Sequence, residues 1–173
     1  MFQGKIIKSY LLLLVIFILA GNAINGGLPP VGNLINLQGS PLKILTYYPE
    51  YIEDSKSSTK GIVHRIMMKN ISGQEVVAYK MLFVSFDSFN EFINKIGGYS
   101  NDSILPNEMG GGVWRTHPFG DFSFLTGVAF VQKVRFADGS VWSAKQDVIL
   151  AELKKIEKGF DVSLLKEKDK EEK

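Results

Sequence analysis

The sequence predicts a mainly β protein, an antiparallel sandwich followed by one C-terminal helix. Three observations lead there. Between residues 42 and 143, apolar residues alternate with polar ones or fill both faces of short stretches. Turn chemistry separates those stretches at Asn70-Ile71-Ser72-Gly73 and at Asp138-Gly139. The apolar period then changes to helical spacing at Val148, Ile149, Ala151, Leu153 and Ile156. No alternating strand–helix–strand pattern is present, which argues against a parallel nucleotide-binding sheet.

The 173 residues suit one domain with tails. Residues 1–23 read as a signal peptide. Lys5 and Lys8 precede the apolar run Leu11–Ala20 with no acid among them, and Gly21 and Ala23 supply a small-residue cleavage site. The run falls well short of the roughly 20 residues of a spanning helix, so cleavage after Ala23 is expected rather than a retained anchor. Removing residues 1–23 takes away two Lys and no acid, so the formal charge of +2 becomes balanced. A balanced mature chain offers no electrostatic case for nucleic acid. Cysteine is absent, which excludes disulfides, thiolate zinc sites, iron–sulfur clusters and Cys nucleophiles. An exported domain without disulfides must rely on its core, and a bacterial envelope, periplasmic or extracellular, is the expected location.

Residues 24–40 are rich in Gly, Asn and Pro and read as an arm from which Leu34, Ile35 and Leu37 can dock. Residues 41–160 form the expected domain. Leu42–Tyr48 is a strand candidate, and Gly61–Lys69 is a clear one, with Ile62, His64, Ile66 and Met68 on one face and Val63, Arg65, Met67 and Lys69 on the other. Glu75–Asp87 is apolar on both faces and suits a central strand covered on both sides, with the C-terminal helix as one cover. Ser88–Lys95 has the composition of a short helix. Residues 96–120, with Gly110-Gly111-Gly112, read as a long loop, the kind of segment that carries function. Val128–Phe136 alternates and Asp138-Gly139 gives a hairpin into Ser140–Ser143. A helix is expected over Ala144–Lys158 with Gly159 as its C-cap, and residues 161–173 form a charged tail.

From His64 to Asp87 the chain runs strand, Asn70-Ile71-Ser72-Gly73, then Val77, Tyr79, Met81, Phe83 and Phe86-Asp87. This resembles the small immunoglobulin-like or fibronectin-III-like β-sandwich modules of exported bacterial proteins, including the FxLYD type. In those modules an N-x-S-G turn joins two strands and the second strand ends in an aromatic followed by Asp. Val134 to Trp142 looks like their final hairpin. The triple Gly, the long loop and the C-terminal helix depart from the pattern. The resemblance implies an immunoglobulin-like sandwich acting in adhesion or interaction, and it brings no catalytic residues.

Candidate chemistry is sparse. His64 lies on an apolar strand face, where it reads as a satisfied core histidine or as a ligand. No second His stands at ligand spacing, and no nucleophile, zinc-protease or phosphate-loop motif is present, so no metal, cofactor or catalytic set is assigned. Asp87, Glu108, Asp121 and Asp138 would have to converge to form an acid–base pair. Trp114, Arg115, His117 and Phe119, on a Gly-hinged loop, are good binding-surface material; alternatively Trp114 and Phe119 plug the end of the sandwich. The expected function is that of an exported, non-enzymatic module binding a protein or cell-envelope partner through residues 96–120. The alternative is an exported hydrolase or carbohydrate-binding protein with its site in the same segment.

Overall fold

The computed structural model of the protein describes residues 29–54, 59–116 and 124–165. The expected signal peptide, and the tail beyond Leu165, lie outside the described residues. The strands are β1 (Val31–Ile35), β2 (Leu42–Asp54), β3 (Thr59–Asn70), β4 (Val76–Asp87), β5 (Phe92–Ser100), β6 (Met109–Thr116), β7 (Phe124–Phe136) and β8 (Val141–Ser143). Among the described residues one α-helix, α1 (Gln146–Leu153), and a 3-10 turn at Val162–Leu165 follow. The mainly β expectation with a late helix therefore holds.

Two sheets form. One runs β1-β7-β4-β5, with β8 also paired to β7; the other runs β2-β3-β6. β1 and β8 share one edge of β7, β1 against Thr126–Phe130 and β8 against Lys133–Arg135. β1 runs parallel to β7, a correction to the all-antiparallel expectation. It also turns part of the supposed arm into sheet. Gly32 makes this possible by close approach, since a Cβ there would sit 2.6 Å from the Tyr47 carbonyl and 2.7 Å from Pro49 Cδ.

The main core lies between the sheets. Leu42, Ile44, Tyr47, Ile66 and Met68 meet Tyr79, Met81, Phe83, Ala129, Val131 and Val134. A second core lies on the far side of the larger sheet. There Leu82, Val84 and Phe86 of β4 and Val128 and Phe130 of β7 are covered by Leu37, Ile149, Leu153 and Phe160. β4 is thus central and covered on both sides, with α1 as one cover. An eight-residue helix has little stability alone, so Ile149 and Leu153 hold it by packing.

Four further expectations change. Ser88–Lys95 is a turn followed by β5, because Asp87 accepts hydrogen bonds from Phe89 N and Glu91 N at 2.8 Å and Asn90 takes a left-handed φ of 62°. Of the expected loop 96–120, the described residues 96–116 are mostly strand, β5 to Ser100 and β6 from Met109, which leaves a short connection at 101–108. α1 ends at Leu153, and Gly159 does not cap it. The Asp138-Gly139 hairpin forms, but as a three-residue loop. Gly139 N donates to Phe136 O, Phe136 N donates to Ser140 O, and Gly139 sits at φ 86°.

The Asn70 turn is saturated. The buried amide donates to Gln74 O and Ile104 O and accepts from Ser72 N and Ser72 Oγ, so all its hydrogen-bonding capacity is used. The short run before β6 adds to the same knot, as Asn70 N donates to Glu108 O and Asn107 N to Asn70 O.

Candidate functional site

Alternation along β6 decides where its side chains go. Trp114 turns inward and packs against the main core, with ring centroids 5.4 Å from Phe83 and 6.4 Å from Tyr79. Its indole lies across Gly112 and Gly98, where a Cβ would come within 2.5 Å and 2.7 Å of the ring, and its Nε1 donates to Tyr99 O at 3.3 Å. These glycines seat an aromatic plug between β5 and β6. Arg115, the next residue, is exposed on the opposite face. His117 and Phe119 lie outside the described residues. Trp114 and Arg115 are therefore adjacent in sequence and divided between two faces.

His64 is fully buried on the inner face of β3. Its Nδ1 lies 2.8 Å from the Tyr47 hydroxyl, its Nε2 lies 3.4 Å from Thr116 Oγ1, and its ring stacks on Phe83 at 4.5 Å. Thr116 in turn donates to Ile62 O. A chain in which Tyr47 donates to Nδ1 and Nε2–H donates to Thr116 satisfies every group. Burial lowers the His64 pKa to about 4 and raises that of Tyr47. The imidazole is neutral at pH 7 with both nitrogens occupied, which leaves it no lone pair for a metal or a substrate proton. Among the described residues no cluster of His, Asp and Glu could hold a metal ion.

The carboxylates do not converge. Asp87 closes its own turn at one end of β4, and Asp138 accepts from Ser140 N and Oγ near the other end. Val76, at the start of β4, pairs with Phe136, while Asp87 at its end pairs with Phe124, so the whole length of the strand separates them. Glu108 is exposed in the turn before β6. Asp121 lies outside the described residues.

The accessible feature is the outer face of β2-β3-β6. Cross-strand register puts Lys43, Lys69 and Met109 in one row, Thr46, Met67 and Gly111 in the next, then Tyr48, Arg65 and Val113, then Glu50, Val63 and Arg115. Tyr48, Met67 and Val113 are 53%, 46% and 55% exposed. A shallow, open depression is lined by these three together with Thr46, Arg65 and Gly110–Gly112. Arg65 pairs with Glu50 at 3.2 Å. Sequence reading identified the β3 face carrying Arg65, Met67 and Lys69. It missed Tyr48 and Val113 because residues in one row come from strands far apart in sequence.

No protein-family model matches the chain, and no curated protein matches it. Among solved structures, a hypothetical protein from Peptoclostridium difficile 630 is similar at 12% identity, over 67% of this chain and 92% of that chain, with a TM-score of 0.47. A target of the Northeast Structural Genomics Consortium is similar at 15% identity, over 60% of this chain and 80% of that chain, with a TM-score of 0.42. Both likenesses are distant. Among the described residues no helix is long and apolar enough to cross a membrane.

Proposed function

We propose that the protein is an exported, non-enzymatic module of immunoglobulin-like type whose bare sheet face binds a protein or cell-envelope partner. Export rests on the Lys5/Lys8, Leu11–Ala20, Gly21-Asn22-Ala23 pattern. The immunoglobulin-like reading is supported by strand order. The order β2-β3-β6 corresponds to strands A, B and E of such a sandwich, and β8-β7-β4-β5 to G, F, C and C′, with β1 as an addition on the β7 edge. The observation that carries binding is the exposed row Tyr48, Arg65, Val113 beside Met67, an apolar centre on the exposed part of a sheet face that ends at the buried Val63. Arg115 of the expected binding set belongs to this face, and Trp114 supports it from inside. A non-enzymatic role is favoured by the occupied nitrogens of His64 and the separation of Asp87 from Asp138.

Photo-crosslinking in cells tests the reading, with a benzophenone amino acid placed at Tyr48, at Val113, or at Lys154 beyond α1. Discrete adducts at the first two positions and none at Lys154 are expected. Adducts at Lys154 alone, or at no position, would remove the face as the docking site. The intact mass of the protein recovered outside the cytoplasm tests export; unprocessed chain retained in the cell contradicts it.

A further inference from the structure

We propose that the outer face of β2-β3-β6 binds an acidic, extended polypeptide segment, with one apolar side chain of that segment seated in the depression that Tyr48, Met67, Gly111 and Val113 line. The inference rests on the reading that this face is the docking face, and it names the partner's chemistry.

Charge on the face is one-sided. Lys43, Lys69, Arg65 and Arg115 point outward across its four rows, and Glu50 is the only carboxylate in those rows. Glu50 is occupied by Arg65, while Lys43, Lys69 and Arg115 have no ion-pair partner among the described residues. The chain without residues 1–23 has balanced charge, so this excess is a property of the face and not of the protein. It becomes visible only when the register brings the three strands together.

Shape separates a polypeptide from a membrane surface. Gly110–Gly112 leave the β6 side of the face sunken, and Tyr48, Met67 and Val113 line the depression with them. A membrane-binding face needs apolar groups that protrude several ångströms into the lipid interface, whereas a depression beside β6 accepts a protruding side chain. Length agrees as well. Lys69 and the row of Arg115 are six residues apart along β3, roughly 20 Å at about 3.3 Å per residue. An extended segment of about that many residues, with acids on either side of an apolar residue, spans the cations.

The test uses the protein as the cell produces it and three fluorescein-labelled octapeptides, alternating Glu-Leu, Glu-Ser and Lys-Leu, read by anisotropy at low and high salt. The Glu-Leu peptide is expected to bind, Glu-Ser at least tenfold more weakly, and Lys-Leu not at all, with affinity falling as salt rises. The double variant Lys69→Glu/Arg115→Glu should weaken Glu-Leu binding at least tenfold and Tyr48→Ala at least threefold, while Lys154→Glu leaves it unchanged; a melting curve for each variant confirms folding. Equal binding of Glu-Leu and Lys-Leu, or no effect of charge reversal in a folded variant, overturns the proposal. Binding to phosphatidylglycerol vesicles but to no peptide also overturns it and assigns the face to a membrane. If crosslinks form at Tyr48 and Val113 while Glu-Leu fails to bind, the acidic partner is wrong and the docking face stands; if both fail, both are wrong.

Discussion

The two sheets are built from similar strands, yet their outer faces have opposite fates. On the larger sheet, β4 and β7 place Leu82, Val84, Phe86, Val128 and Phe130 outward, and α1 with Phe160 covers them. On the smaller sheet, β2, β3 and β6 place Thr46, Tyr48, Arg65, Met67, Gly111 and Val113 outward, and these remain accessible. Both sheets bury their inner faces in one shared core. The difference follows from side-chain choice on alternate residues. An apolar outer row recruits a helix, because burial is worth roughly 25 cal/mol per Å². A row that mixes Lys, Arg, Thr and Gly with a few apolar groups gains too little from a cover.

The sharpest way to break this comparison is to weaken the cover of the larger sheet. Leu153→Ala, on the helix that covers the larger sheet, should cost about 4 kcal/mol, because Leu153 is fully buried and shares with Ile149 the task of holding α1 on the sheet. Urea denaturation measures it; a cost below about 1 kcal/mol would mean that the helix does not stabilise the sheet.

The inner core of the bare sheet should matter nearly as much. Trp114→Ala should cost about 3 kcal/mol by emptying the space between Phe83 and Tyr79. Arg115→Ala, one residue away on the other face, should change stability by less than about 0.5 kcal/mol. Equal effects would show that alternation along β6 is not as described.

His64 makes the same core sensitive to acid. Its folded pKa of about 4 lies below the ordinary 6.5. The unfolded chain therefore takes up the proton first, and stability rises with pH through this window. The contribution is complete above pH 6.5 and is lost as pH falls toward 4, amounting to about 3 kcal/mol. Denaturation at pH 7.5 and 4.5 should show a larger difference in the wild type than in His64→Gln; equal differences would mean that the imidazole is not desolvated.

Asn70→Ala should cost about 2 kcal/mol, since it leaves Ile104 O and Gln74 O without the amide donor. Thermal melting measures this cost, which joins the β3–β4 turn to the start of β6. Smallest of all, Met67→Ala and Tyr48→Ala should each move stability by less than about 0.5 kcal/mol while weakening partner binding. A large loss of stability from either would show that the bare face is covered in the folded protein.

Much of this architecture is legible in the sequence. His64 and Met68 inward against Arg65 and Met67 outward can be read from β3 alone. The two apolar faces of β4 require two covers, and the helical spacing of Ile149 and Leu153 supplies one of them. Gly139 marks the last hairpin. The glycine-rich strands are different. Gly97, Gly98 and Gly110–Gly112 have no side chains to display a period, so the second half of β5 and all of β6 read as loop. Their meaning is steric, since Gly98 and Gly112 make room for an indole that only tertiary packing brings there. Gly32 in β1 hides a strand in the same way.

By itself, then, the sequence determined the mainly β class, the central place of β4, the turn at Asn70 and the late helix. Each of these depends on side chains near one another along the chain, where periodicity and turn preference act directly. Tertiary structure decided which strands share a sheet, that Trp114 faces in while Arg115 faces out, that His64 is neutral and saturated, and that Lys43, Lys69, Arg65 and Arg115 gather on one bare face. Those outcomes depend on pairing between distant segments, and a one-residue change of register would send each side chain to the opposite face.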